Sequence, residues 1–165
     1  MSVAQSNDLI NHSFASIGVA QREKNHQVLQ PILTDLISLG TLVKQLHWNV
    51  VGPRFRPIHL HLDEIHGFVG ESTDSVAERL SATGHSPDGR LRATAKETEL
   101  EDPPEGFVKD NEVLLLASHA LNRTAELIRI RMLEIENEDT ATADLLHQIV
   151  LELEKHHWML QAQRV

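Results

Sequence analysis

Apolar residues that return every three or four positions, interrupted only by glycine and proline, set the strongest limit on how this chain folds. Leu29, Ile32, Leu33, Leu36, Ile37, Leu39, Leu42, Val43 and Leu46 follow the 3.6-residue period of one helix. Gly52-Pro53 ends that helix, because glycine accepts the left-handed cap and proline cannot continue the ladder. Pro31 belongs in its opening turn, or it kinks the helix. A second helix opens near Pro57 and stops at Gly84, about 40 Å of helix at the usual rise per residue. Residues 84–106 hold Pro87, Gly89, Pro103, Pro104 and Gly106, a long connection with room for one short helix around Leu91 to Glu97. A third helix, roughly Val108 to Glu136, and a fourth, roughly Thr140 to Gln163, flank an acidic turn. Strand-like alternation is absent from the sequence.

Four long helices with one long crossover between the second and third specify an all-α, ferritin-like four-helix bundle. Residues 1–27, dominated by Ser, Asn, Gln and His, read as a flexible tail, and residues 28–165 as the bundle. At 165 residues one domain with a real core is the default. With no cysteine, strong metal ligation falls to imidazole and carboxylate. A net charge of −9 suits cations better than nucleic acid. No apolar run reaches bilayer length and no basic-then-apolar leader opens the chain, so the expectation is a cytoplasmic protein with no membrane partner.

The second helix carries an unusual arrangement. His59 and Asp63 are one turn apart, as are Asp74 and Glu78, and all four fall in one stripe together with Gly67, Gly70 and Ala77. Asp63 and Asp74 stand about 16 Å apart along the axis, so one ion cannot touch both on a single helix. Two antiparallel copies change this. The numbers 63 and 74 have the same total as 59 and 78, so a two-fold axis between Phe68 and Val69 brings each pair opposite its complement. The flanking glycines let the backbones approach. His47, near the end of the first helix, supplies a second imidazole. The bland alternative is a solvated helix face, the usual meaning of any one such pair.

The stretch "LHWNVVGPRFRPIHLHLDEIHGFVGESTDSVAER", residues 46–79, together with "LEKHHWMLQA" near the C-terminus, resembles the Dps family, dodecameric mini-ferritins named for DNA protection in starved cells. The resemblance spans residues 28–163 and implies a ferroxidase centre with His47, His59 and Asp63 from one subunit and Asp74 and Glu78 from its mate. It further implies Fe(II) as substrate, hydrogen peroxide as the preferred oxidant with oxygen as the other, and Fe(III) mineral stored in a hollow dodecamer. A mixed imidazole and carboxylate set suits borderline Fe(II), and other divalent metals such as zinc or manganese fit it too.

Three accessory roles follow. Lys44, one turn from His47, is placed to ion-pair with Asp74 or Glu78 across the interface and so weaken a second iron position. Trp48 matches the family tryptophan beside the centre, with interface packing its equal alternative. His66, on the same stripe, is a candidate accessory ligand, whereas His61 is assigned to solvent or the interface. Asp139 and Asp144 match acidic residues of the family's iron-entry pores, and helix capping explains them equally well. Residues 1–27 carry only Arg22 and Lys24 as bases, which weighs against direct DNA binding and leaves nucleoid association to the family's name. Three rivals remain: a di-iron centre inside one bundle using Glu154 and His157, a nucleoid-binding shell with a vestigial centre, and a bundle that binds zinc or manganese structurally.

Overall fold

A computed structural model describes residues 17–164. Its elements are α1 (Val19–Asn49), β1 (Val50–Val51), α2 (Phe55–Ala82), α3 (Leu91–Glu97), β2 (Val108–Lys109), α4 (Asp110–Met132) and α5 (Thr140–Ala162). The apolar stripes meet in one core. Leu29, Ile32 and Leu36 of α1, Ile58, Leu62 and Ile65 of α2, Leu114 and Leu121 of α4, and Leu146 and Leu153 of α5 are all fully buried. Each such side chain stabilises the bundle by about 2 kcal/mol relative to exposure. The helices pair α1 with α2 and α4 with α5, and the crossover that carries α3 runs beside α1. None of the described helices is long and apolar enough to cross a membrane.

The first helix begins nine residues earlier than its apolar period suggests, so Val19 to Gln27 are helical and do not belong to a flexible tail. The reason is polar. Asn25 is fully buried and donates its amide to Asp139 at 2.6 Å, Gln21 donates to Asn25 at 3.0 Å, and Lys24 pairs with Glu138 at 2.7 Å. The remainder of the expected tail, residues 1–16, lies outside the described residues. Pro31 consequently sits well inside α1 and not in its opening turn, where its missing N–H leaves the Gln27 carbonyl without the usual helical donor.

The turn from α1 to α2 is held from two sides. Val50 pairs with Val108 and Val51 with Lys109 in a short parallel bridge, although the sequence shows no strand pattern. Gly52 adopts φ +135°, and a Cβ there would stand 2.7 Å from the Asp110 carboxyl carbon, so no other residue fits. Arg54 then joins three elements. Its main-chain N–H and Nε donate to Asp110 at 3.1 and 3.2 Å, its guanidinium reaches the Gln163 carbonyl at 2.6 Å, and it also bonds Asn111. These bonds hold the Asp110 carboxyl below the usual carboxylate range. At the crossover, buried Asp35 accepts from Thr98 Oγ1, the Glu99 N–H and Arg131, so this carboxylate of the first helix is a structural clasp.

Candidate metal centre

His47 ends α1 and His59 lies in the second turn of α2, so the short α1–α2 connection folds their rings together. The centroids are 3.6 Å apart and the planes 22° from parallel. His47 Nδ1–H donates to the His59 carbonyl at 2.9 Å, and His59 Nδ1–H donates to the His47 carbonyl at 3.0 Å. A carbonyl only accepts, so each neutral ring carries its proton on Nδ1 and keeps the Nε2 lone pair for a metal. Asp63, one turn beyond His59, completes a cluster in which one ligand atom from each of the three residues lies within 4.8 Å of the others. His47 is buried, His59 half-buried and Asp63 exposed, so the imidazoles are fixed and the carboxylate faces out. This is the one such cluster of three or more among the described residues.

Lys44 ion-pairs with Asp63, on its own chain. Its hydrogen bond is the main cause that lowers the Asp63 pKa; burial opposes it, and the nearby imidazoles add to the lowering. The sequence-based expectation had Lys44 reaching for Asp74 or Glu78, but Asp63 lies directly within its reach. Asp74 and Glu78 are exposed further along α2 and make no hydrogen bond or ion pair among the described residues. Beside the cluster, Leu36, Ile37, Trp48, Val69 and Gly70 line an apolar groove of about 520 Å³ between α1 and α2. A Cβ placed on Gly67 or Gly70 would meet nothing within 4 Å among the described residues.

The sequence profile of the ferritin-like domain matches residues 26–165. The DNA protection during starvation protein of Brevibacillus brevis is 34% identical over 76% of this chain and 85% of its own length. The chain belongs to the Dps family. A second relative, DNA protection during starvation protein 2 of Deinococcus radiodurans, is 32% identical over 88% of this chain, which spans only 60% of that protein's length. Crystallised Mycobacterium smegmatis Dps superimposes with a TM-score of 0.87 at 28% identity, covering 94% of each chain.

Within this Dps chain the remaining expected residues separate clearly. His66 is not drawn into the cluster; its Nδ1–H donates to the Gly40 carbonyl at 3.1 Å, and the ring borders the apolar groove. Trp48 is 63% exposed on the same face. His61 is not at the surface. It is buried, accepts at Nδ1 from Gln163 at 3.0 Å and bonds His156 Nδ1 through Nε2 at 3.1 Å, and burial lowers the pKa of both rings. Asp139 is buried as the N-cap of α5, accepting from Thr142, Arg79 and Asn25. Burial would raise its pKa, but those donors prevail and hold it down at about 2. Asp144 is exposed. Glu154 pairs with Arg129 at the surface and His157 bonds Ser118, so the pair proposed for an intra-bundle centre is not assembled. Sequence reasoning missed Phe55, whose ring packs on His59 with centroids 4.9 Å apart; its place four residues before His59 was the available signal.

Proposed function

We propose that this chain is the subunit of a ferroxidase and iron-storage mini-ferritin. Fe(II) is the substrate, hydrogen peroxide the preferred oxidant, and centres shared by two-fold-related subunits the place of reaction. Fe(III) mineral collects inside a hollow homo-dodecamer, so cellular components and DNA are protected by removal of iron and peroxide. DNA protection is the function that the relatives' names carry. One observation carries the reading. His47, His59 and Asp63 form half of a coordination shell with free Nε2 lone pairs and an outward carboxylate, while Asp74 and Glu78 stand exposed and unengaged on the same helix. A second copy packed antiparallel on the groove between α1 and α2 supplies the missing acids, and open Gly67 and Gly70 permit the close approach.

The chemistry suits these donors. Two imidazoles and carboxylates bind borderline Fe(II), whereas harder Fe(III) favours oxygen and moves on to mineral. Each peroxide takes one electron from each of two ferrous ions, its O–O bond breaks, and two protons complete two waters. Asp144, free at the surface near the start of α5, is positioned to attract iron toward a pore, and Asp139 assists by holding that helix start in place. The net charge of −9, with only Arg22 and Lys24 as bases in residues 1–27, favours protection without direct DNA binding.

The decisive measurement is peroxide-dependent growth of Fe(III) absorbance after anaerobic Fe(II) loading. Asp63→Ala is expected to slow the initial rate at least tenfold. An Asp63→Ala protein that oxidises iron at the original rate refutes the shared centre.

A further inference from the structure

His59 is held on more than one side. His47 stacks against it at 3.6 Å and accepts its Nδ1–H through the main-chain carbonyl. Phe55 lies against it at 4.9 Å, tilted 32°, and makes no ring contact with His47, so the imidazole is the middle of three rings. Phe55 stands at the first position of α2 and is 44% exposed in the single chain. It fills no core position, and the start of α2 has no side-chain cap to steady it. The turn that must present His59 is therefore fixed by Gly52, Arg54 and the ring stack. Edge and offset aromatic contacts at this separation are attractive.

Resting on the reading of this cluster as a metal half-site, we propose that Phe55 is a positioning residue for the centre. Its ring limits rotation of the His59 imidazole about its outer bonds and screens the outer side of the ring from water, so that Nε2 is aimed before an ion arrives. Phe55 touches neither metal nor oxidant. Its effect therefore belongs in ion capture and not in the oxidation step.

The probe is Co(II) alone, titrated anaerobically into the intact assembled protein and followed by its visible absorption, with initial Fe(II) oxidation rates measured in parallel. Phe55→Ala and Phe55→Leu are expected to weaken Co(II) binding roughly threefold to tenfold, whereas Phe55→Tyr, which keeps the ring, stays near the original affinity. The iron concentration for half-maximal rate rises in step, with the saturated rate unchanged. Unaltered binding in Phe55→Ala overturns the proposal, and so does full affinity in Phe55→Leu, which would show that bulk suffices. Asp63→Ala separates the two readings. If it abolishes Co(II) binding while Phe55→Ala binds normally, only the role of Phe55 falls; if it leaves binding intact, the metal half-site falls as well.

Discussion

The Lys44–Asp63 ion pair bears directly on the candidate metal centre. The ammonium occupies the open side of the one carboxylate that accompanies the two imidazoles, much as a cation would. Any second metal drawn to that carboxylate must first displace it, and the pair, being partly exposed, opposes this only modestly. Replacing Lys44 with alanine is therefore expected to increase the number of ferrous ions bound per centre in an anaerobic titration, with little change in folding stability. An unchanged stoichiometry would show that Lys44 does not compete with iron. The same residue marks a limit of sequence reasoning. Helical spacing places Lys44 one turn from His47, but it does not reveal that the folded-back start of α2 brings Asp63 of the same chain against it.

At the scale of elements, α1, α2, α4, α5 and the crossover with α3 were legible because each has an apolar period or a cluster of prolines and glycines. The first turns of α1 were not. They are anchored by Asn25, and a buried polar residue leaves no trace in a hydrophobic pattern. Its partner Asp139 joins three elements at once, capping α5, pairing with Arg79 of α2 at 2.8 Å and binding Asn25 of α1. Because its folded pKa of about 2 lies below the value near 3.9 of an unfolded aspartate, this carboxylate stabilises the fold above about pH 4. That contribution disappears as pH falls from about 4 toward 2. Asp139→Ala removes the cap, the acceptor of buried Asn25 and the ion-pair partner of Arg79, and is expected to cost about 3 kcal/mol in a urea melt at neutral pH. Asp139→Asn keeps a capping oxygen, so it should lose less at neutral pH and show a flatter decline in stability across that acid window.

For the whole molecule, the decisive property is that the candidate ligands of one chain cannot close on one another. Asp74 and Glu78 lie too far along α2 to join His47, His59 and Asp63 of their own protomer. Two inactive variants should therefore complement. Asp63→Ala and Glu78→Ala subunits, dissociated together and reassembled, are expected to regain roughly a quarter of the wild-type centres, because half of the random pairs are mixed and each mixed pair restores one of its two sites. Either variant reassembled alone should remain slow, and a mixture no faster than its components would refute sharing. One feature of the half-site bears on how freely such a protein can change. The hydrogen-bond acceptors that set the tautomers of His47 and His59 are main-chain carbonyls, which no point substitution can delete. That pair of bonds is thus insulated from ordinary substitution, and what endangers it is a change in the number of residues between Asn49 and Phe55: adding or removing one there would misalign both imidazoles while every candidate ligand stayed in the sequence.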